Sequence, residues 1–315
     1  INADTACFGS PTNFSYSIAN PAAIIDSCLW DFGDGSSSTQ HSPTHTYALP
    51  GIYNVNLTVY DNSGCVEASN LNVRVYPDPI AGFNDSTSCQ NNLTYFEDIS
   101  QGGGAAVMAW DWDFGDGNTS SLQNPVHGYA VAGTYDVILT ITNANGCTDS
   151  ITNPVVVFNR PVAAFAADSG CVGSVIHFTD LSYSYNGTIN YWFWEFGDGQ
   201  TSVVQNPVHV YDNPGNYPVT LVVGTTMGCY DTISQFVPIY ELPEASFSTS
   251  TVCASQPAQF IDQSVPNADS IVSWYWNFGD GYTSNEQNPV HVFSGSGTYN
   301  VLLRVTNSNG CVNDS

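Results

Sequence analysis

The sequence repeats itself with a period of 82 residues, and this period constrains the fold more than any other feature. The stretch "WDWDFGDGNT" at 110–119 is matched in register by "CLWDFGDGSS" at 28–37, "WFWEFGDGQT" at 192–201 and "WYWNFGDGYT" at 274–283. A fixed period of this length indicates tandem copies of one small domain rather than one or two large domains. The chain of 315 residues is therefore predicted to contain four repeats, over 1–77, 78–159, 160–241 and 242–315.

The strand patterns within one repeat predict an all-β domain. Every second residue of "YDVILTI" at 135–141 is apolar, which is the period of a half-buried strand, and its opening tyrosine resembles a tyrosine corner. Trp110, Trp112 and Phe114 also alternate, so we expect all three to face the core, with the intervening aspartates outside. About seven such short strands per repeat, without helical periodicity, predict an immunoglobulin-like β-sandwich. Further strands are predicted at 12–17, 93–98, 175–180 and 258–263.

The D-F-G-D-G stretch has two interpretations, a metal or phosphate site and a turn. Closely spaced aspartates are suitable metal ligands, and D-F-G holds magnesium in protein kinases, but the chain has no lysine to pair with a nucleotide. The composition of Asp116-Gly117 suits a tight hairpin turn with positive φ. The turn is favoured because a ligand position is not expected to change to asparagine, whereas the position after the second tryptophan reads Asp31, Asp113, Glu195 and Asn277. A weakly held surface calcium ion stays open as the alternative.

Three motifs occur in the same order in each repeat: W-x-F-G-D-G, then N-P-x-H-x-Y, then G-x-Y-x-V-x-L-x-V. The second motif reads "NPVHGY" at 124–129, "NPVHVY" at 206–211 and "NPVHVF" at 288–293, and it departs to "SPTHTY" at 42–47. Together the motifs resemble the PKD (polycystic kidney disease) repeat, over all four copies. Arrays with an added cysteine pair are similar to those in very large surface proteins of Bacteroidota, including gliding-motility adhesins.

Composition restricts the environment and the partners. The chain has 28 acidic and three basic residues, with a net charge of -25, and such a surface repels nucleic acid and anionic membranes. Paired cysteines in small, lysine-free repeats indicate an oxidising, extracellular compartment. No apolar run reaches about 18 residues and no basic-then-apolar leader precedes Ile1, so we expect any export signal or anchor to lie outside these residues.

Eight of the cysteines form two series with the 82-residue step, the first at 7, 89, 171 and 253 and the second at 65, 147, 229 and 311. The first series is expected at the C-terminal pole of each sandwich and the second at the N-terminal pole. These poles are roughly 20 Å apart, whereas a disulfide needs Cα atoms within about 7 Å. In a head-to-tail array this predicts staggered bridges: Cys7–Cys147, Cys89–Cys229 and Cys171–Cys311. Bridges within each repeat, with Cys28 free, stay open as the alternative.

The remaining cysteines mark the two ends of the array. Cys28 replaces the first tryptophan of its motif, near a strand next to the one that carries Cys65, so a Cys28–Cys65 bridge is predicted in repeat 1. Cys253 would then await a further repeat. The last strand of the fourth sandwich is expected beyond Ser315, either in a longer array or from another chain.

No residue is predicted to act in catalysis, to bind a cofactor or to hold a metal. The in-register histidines belong to the N-P-x-H motif, and none accompanies a nucleophile or a second ligand in a recurring pattern: His45, His127, His209 and His291. The chain is therefore not expected to be an enzyme. Asp-Ser/Thr followed by an apolar residue resembles the O-glycosylation sequon of Bacteroidota, and the alternative is plain polar strand residues, at Thr5, Ser150, Thr232 and Ser270.

The leading functional expectation is a secreted, disulfide-reinforced stalk or filament of the cell surface, used for adhesion or motility. Its partners would be neighbouring repeats, identical chains and surface glycans, without nucleic acid or membrane insertion. The rival expectation is a carbohydrate- or protein-binding accessory module of a secreted enzyme. Phe193 and Tyr275 could form a sugar platform on the outer face, but their equivalents are Leu29 and Asp111, so no shared platform follows the array.

Overall fold

A computed structural model describes residues 1–19 and 23–315, and the regular elements in them are β-strands. The chain divides into two compact units, Ile1–Asn159 and Arg160–Ser315, and each unit contains two repeats. The all-β architecture of four tandem immunoglobulin-like domains is as predicted.

The same strands recur in each repeat. The first repeat contains β1 (Asn2–Ala3), β2 (Ala6–Cys7), β3 (Thr12–Ser15), β4 (Ile25–Asp31), β5 (Ser37–Ser38), β6 (Thr44–His45), β7 (Gly51–Asp61) and β8 (Val66–Tyr76). The second contains β9 (Phe83–Asp85), β10 (Ser88–Cys89), β11 (Leu93–Asp98), β12 (Val107–Asp113), β13 (Thr119–Ser120), β14 (Val126–Gly128), β15 (Gly133–Asn143) and β16 (Thr148–Phe158). The third contains β17 (Phe165–Ala167), β18 (Gly170–Cys171), β19 (Val175–Asp180), β20 (Ile189–Glu195), β21 (Thr201–Ser202), β22 (Val208–Val210), β23 (Gly215–Thr225) and β24 (Tyr230–Tyr240). The fourth contains β25 (Phe247–Thr249), β26 (Pro257–Asp262), β27 (Ile271–Asn277), β28 (Thr283–Ser284), β29 (Val290–Val292), β30 (Leu302–Asn307) and β31 (Val312–Asp314).

Each repeat pairs its strands into two sheets. In repeat 2 a three-stranded sheet has the order β14-β11-β9, and a five-stranded sheet has the order β10-β16-β15-β12-β13. Neighbours are antiparallel except β10 and β16, which run parallel where Cys89 pairs with Phe158. Repeats 1 and 3 have the same strand order, and repeat 4 keeps the shorter order β28-β27-β30-β31.

A tryptophan without exposed surface lies at the centre of each core: Trp30, Trp112, Trp194 and Trp276. In repeat 2 the Trp112 ring contacts Phe83 and Phe96, with ring centroids 5.1 and 5.4 Å away. Its indole N–H donates to the carbonyl of Leu122 at 2.9 Å, so the buried polar group is satisfied. The predicted alternation is confirmed, because Phe114 is buried on the same side while the intervening aspartates are exposed.

The apolar cores form four clusters, and each cluster draws its residues from a single repeat. A tyrosine corner closes each of them, as the sequence predicts. In repeat 2 the Tyr135 hydroxyl donates to the carbonyl of Val131 at 2.8 Å, and its ring stacks on Tyr129 at 4.2 Å. The Tyr129 hydroxyl donates in turn to the carbonyl of Phe114.

The D-F-G-D-G stretch forms a turn whose carboxylates are occupied by backbone groups. Asp113 accepts from the N–H of Gly115 at 2.9 Å, and Asp116 accepts from the N–H of Asn118 at 3.0 Å. The turn is confirmed, and Gly117 has the expected positive φ, at 91°; the other left-handed residue is Gly115, with φ of 75°, and not Asp116. Residue 115 also has no room for a side chain, because a Cβ there would lie 2.7 Å from a backbone oxygen of Asp136.

Gly115→Ala should destabilise repeat 2 more than Gly117→Ala does. Both positions have positive φ, so alanine is strained at each by about 1–2 kcal/mol. Only the Cβ at 115 meets the facing backbone, whereas the Cβ at 117 meets nothing within 4 Å. Differential scanning calorimetry of the two variants measures the difference. Equal midpoints would contradict the close approach.

Candidate functional site

Disulfides join neighbouring repeats, and these joints are the candidate functional sites. Cys7 of repeat 1 is bonded to Cys147 of repeat 2, and Cys171 of repeat 3 is bonded to Cys311 of repeat 4, each across 140 residues. The Cα atoms are 5.6 Å apart in both bridges, as disulfide geometry requires. Both bridges follow the staggered scheme rather than the pairing within repeats. Cys89 and Cys229 are each disulfide-bonded; the predicted bridge between them would join the two compact units and stays a prediction.

The predicted Cys28–Cys65 bridge is wrong, because both cysteines are free thiols. Cys28 on β4 pairs with Val59 of β7, whereas Cys65 lies across β7, where its carbonyl accepts from the N–H of Asp61. Two strand spacings therefore separate them, about 10 Å, which exceeds the limit of about 7 Å for a disulfide. The Cys28 thiol points into the core and lies 3.4 Å from the carbonyl of Gln40. Burial raises the pKa of this thiol.

An asparagine shapes the hairpin that presents the second-series cysteine. The Asn143 side-chain oxygen accepts from the N–H groups of Asn145 and Cys147, both at 3.0 Å, and its amide donates to the carbonyl of Gly102. Asn307 holds Cys311 in the same way, at 2.9 Å. These asparagines were not predicted as functional residues. The sequence feature that could have identified them is the in-register N-x-N-G-C motif, which ends at each of the two cysteines.

An acidic residue just after this cysteine fixes the linker that precedes the repeat. The Asp149 carboxylate accepts from the backbone N–H of Ala81 at 2.8 Å, and Asp231 accepts from the N–H of Ala163 at 2.9 Å. Each pair is 68 residues apart in sequence, so the contact closes the N-terminal pole over the incoming chain. Sequence reasoning missed this role, since an aspartate in a strand also suits a plain surface position.

The linkers before repeats 2 and 3 differ at the position three residues before the alanine. In repeat 3 the Arg160 guanidinium donates to the carbonyl of Tyr230 at 2.9 Å and lies 3.8 Å from the Asp231 carboxylate. Asp78 stands at the corresponding place in repeat 2, where burial and the nearby Asp149 raise its pKa. The cationic tether of repeat 3 is therefore not a common feature of the joints.

The in-register histidines are structural, as predicted. Each is hydrogen-bonded to the second aspartate of D-F-G-D-G, at 2.6–2.8 Å, in the pairs His45–Asp34, His127–Asp116, His209–Asp198 and His291–Asp280. In repeat 2 the imidazole also stacks on Phe114, with centroids 4.3 Å apart. The pair clamps the turn to the N-P-x-H segment, which is a structural role.

One further cluster brings possible metal-ligand atoms close together. Among the described residues, the carboxylate of Asp78 lies close to the sulfurs of Cys7 and Cys147, but the disulfide consumes both thiols and removes them as metal ligands. No helix in the described part of the chain has the length and apolarity of a membrane span. The hydroxyl residues of the predicted glycosylation sequons are all exposed, and their glycosylation stays a prediction: Thr5, Ser150, Thr232 and Ser270.

Acid should weaken repeat 1 through the Asp34–His45 pair. Burial alone would raise the pKa of Asp34, but hydrogen bonds from Ser36 and His45 outweigh it and lower the pKa to about 2. A carboxyl whose pKa is lower in the folded state stabilises the fold above its unfolded pKa of about 3.9, and loses this contribution as the pH falls towards 2. Asp34→Asn should therefore destabilise the chain at neutral pH and progressively less below about pH 4.

Urea unfolding of the native chain and the variant at about pH 7, 4 and 2, followed by circular dichroism, measures this difference. A gap between the two unfolding midpoints that is the same at every pH would show that the pair does not carry the acid sensitivity.

A family model described as PKD domain matches residues 1–75, 76–158, 158–239 and 240–315. Human polycystin-1 is 23% identical over 339 residues, covering 91% of this chain and 7% of polycystin-1. A microbial collagenase of Vibrio alginolyticus is 51% identical over 55 residues, covering 18% of this chain and 7% of the collagenase. The pre-pro-metalloprotease PrtV of Vibrio cholerae is 28% identical over 155 residues, covering 48% of this chain and 16% of PrtV. The chain thus spans less than a fifth of the length of these relatives.

Among solved structures, the PKD1 domain of the Vibrio cholerae metalloprotease PrtV is 34% identical. It covers 25% of this chain and 96% of its own, with a TM-score of 0.24. The PKD1 domain of Vibrio anguillarum Epp is 31% identical, covering 25% of this chain and 93% of its own, also with a TM-score of 0.24.

Proposed function

Because the chain belongs to the PKD domain family over its whole length, we propose that it is a non-enzymatic structural repeat region of a secreted or cell-surface protein. In this proposal its bridged repeats form a stiff stalk or filament that serves adhesion or motility. The observation that carries the proposal is a covalent bond between neighbouring repeats at the joint within each compact unit.

The bridges link domains that do not share a core. Each apolar cluster belongs to one repeat, so tension across a joint would otherwise act on a short linker and a few polar contacts. A disulfide that closes a loop of 140 residues stabilises the folded state by on the order of 5 kcal/mol in the chain-entropy model. A chain built in this way suits a load-bearing stalk.

Chemistry and charge favour an extracellular setting without catalysis. Disulfides persist in oxidising compartments, and a net charge of -25 keeps such an array soluble and discourages chains from collapsing side by side. The recurring histidines are hydrogen-bonded to aspartates inside the turns, which supports a structural role for them.

Force spectroscopy on single chains should detect the bridges. While Cys7–Cys147 is intact, the 140 residues between these cysteines cannot extend, and reduction should release roughly 490 Å of contour length from this loop. The second bridge, Cys171–Cys311, should behave alike. Equal contour lengths for oxidised and reduced chains would contradict the load-bearing function.

The double variant Cys7→Ser/Cys147→Ser, pulled without reductant, tests whether Cys89 and Cys229 are bonded to each other. If Cys89–Cys229 is also bridged, the pulled path runs through residues 7–89 and 171–229 instead of 147–171, so it lengthens by 116 residues (82 + 58 − 24), roughly 410 Å. If that bridge is missing, the full loop of roughly 490 Å extends.

A binding module is the second candidate function, because segments of this chain are similar to parts of a microbial collagenase and of a metalloprotease. Tyr275 on the outer face of β27 is 39% exposed and could contact a sugar or a peptide. If this function holds, the chain should bind immobilised polysaccharide or collagen, and Tyr275→Ala should abolish binding measured by surface plasmon resonance. Asp111→Ala at the equivalent position of repeat 2 is the matched control.

A further inference from the structure

A polar cluster of three side chains recurs in repeats 2, 3 and 4. In repeat 2 the Asp98 carboxylate accepts from the indole N–H of Trp110 at 2.7 Å and from the side-chain amide of Gln123 at 3.2 Å. The cluster joins the end of β11, the strand β12 and the segment after the D-F-G-D-G turn, which is a structural role. The same two contacts recur around Asp180, with Trp192 and Gln205, and around Asp262, with Trp274 and Gln287.

Repeat 1 replaces all three side chains of this cluster. The 82-residue period relates the positions of Asp98, Trp110 and Gln123 to Tyr16, Cys28 and His41. The Tyr16 hydroxyl is hydrogen-bonded to Nδ1 of His41 at 2.8 Å. It also lies beside the Cys28 thiol, since each of these two groups affects the pKa of the other. The three new side chains are therefore neighbours in the fold.

Packing accounts for only part of this replacement. A large tyrosine beside a small cysteine compensates for the lost tryptophan, and the Tyr16 ring lies 6.1 Å from the Trp30 ring. The available space requires neither a thiol nor an imidazole, because alanine would leave similar room and glutamine would still bond to a hydroxyl. The three new side chains share a different chemistry, since thiolate sulfur, imidazole nitrogen and phenolate oxygen all bind transition-metal ions.

The cluster is buried at the cysteine and open at the histidine. Cys28 is 2% exposed, whereas the His41 side chain is exposed, so an ion would enter from the side of the imidazole. Burial raises the pKa of both Cys28 and Tyr16, which keeps the two groups protonated at neutral pH. A bound divalent cation favours the thiolate, and the Cys28 proton then passes to the solvent.

We propose that Tyr16, Cys28 and His41 form a binding site for a divalent transition-metal ion of the Zn²⁺ class. Bonds of about 2.0–2.1 Å to oxygen and nitrogen and about 2.3 Å to sulfur, at tetrahedral angles, separate the ligand atoms by about 3.3–3.5 Å. The Tyr16 hydroxyl and His41 Nδ1, now 2.8 Å apart, therefore need to separate only slightly. Three protein ligands leave the fourth position to a water molecule.

The site would replace the recurring hydrogen-bonded cluster by a metal-bound one within a single repeat. It lies inside repeat 1 and does not involve the disulfides, so it is independent of the proposed stalk function. Because the metal would bind the folded repeat and not the unfolded chain, it would stabilise repeat 1 by mass action. The site was not predicted from the sequence because metal ligands were sought in the recurring pattern, which these three residues interrupt.

Titration of the oxidised chain with Co²⁺, followed by absorption spectroscopy, tests the proposal. The chain should carry Cys65→Ser and Cys253→Ser, because these two exposed free thiols would otherwise compete for the metal. One equivalent of Co²⁺ should produce thiolate-to-metal charge-transfer absorption, and Zn²⁺ should remove it by displacing Co²⁺. The absence of charge-transfer absorption at an excess of Co²⁺ would overturn the proposal.

Matched variants in the same background identify the ligands. His41→Gln introduces the residue found at this position in the other three repeats, and the exposed side chain makes loss of folding unexpected. It should weaken Zn²⁺ binding, measured by competition with a chromophoric chelator, by more than the about 10–100-fold typical of an outer-sphere partner. His177→Gln, at an exposed histidine of repeat 3, is the control and should leave the affinity unchanged.

Tyr16→Phe keeps the ring and removes the hydroxyl, so it should also weaken Zn²⁺ binding, whereas Cys28→Ser should abolish the charge-transfer absorption. Circular dichroism of each variant checks that repeat 1 remains folded. Equal Zn²⁺ affinities for His41→Gln and His177→Gln would assign the binding to surface carboxylates and overturn the proposal. None of these measurements depends on force, so this proposal and the load-bearing function can fail separately.

Discussion

Burial of one tryptophan between two sheets is the constraint on which each repeat depends. A domain of about 80 residues has little interior, so a single large aromatic side chain fills much of its core. In repeat 2 that side chain is Trp112, whose ring contacts Phe83 and Phe96 and whose N–H must find an acceptor away from water. The acceptor is the carbonyl of Leu122, beyond the D-F-G-D-G turn. Core and turn are thus fixed by one residue, and the His127–Asp116 pair closes the turn from its other side.

The features predicted from sequence are those that short-range patterns determine. Alternating apolar residues located β12 and β15 and the side of each strand that is buried, because strand side chains alternate strictly. The staggered bridge Cys7–Cys147 was also predictable, since the phase of a cysteine within the repeat locates it at one pole of a sandwich, and poles of neighbouring repeats meet in a tandem chain. A repeated sequence therefore reveals a contact across 140 residues that a single domain would conceal.

The features that were not predicted depend on distances that no local pattern contains. Neighbouring strands suggested the Cys28–Cys65 bridge, but the sequence does not reveal that β7 separates the two cysteines. The contact of Asp149 with the N–H of Ala81 was missed for a similar reason, because an aspartate that binds the linker cannot be distinguished in sequence from an exposed one. In repeat 4 the equivalent residue is Asn313, and its amide donates to the carbonyl of Pro243. The position therefore keeps a contact with the linker, although the residue type changes and the side chain donates the hydrogen bond instead of accepting it.

Polar geometry, rather than apolar contact, organises the joints. Asn143 shapes the hairpin that presents Cys147, and Asp149 holds the linker, while the apolar clusters remain within single repeats. Such hydrogen bonds orient groups well but contribute only about 0.5–1.5 kcal/mol each, so alone they would resist little force. The disulfide adds a covalent link to the joint. The hydrogen bonds orient the cysteine-bearing hairpin, and the bonded Cα atoms lie 5.6 Å apart, as a disulfide requires. In the proposed function the mechanical strength of each joint depends on its oxidation state, and the hydrogen bonds of Asn143 hold Cys147 in the hairpin from which it bonds to Cys7.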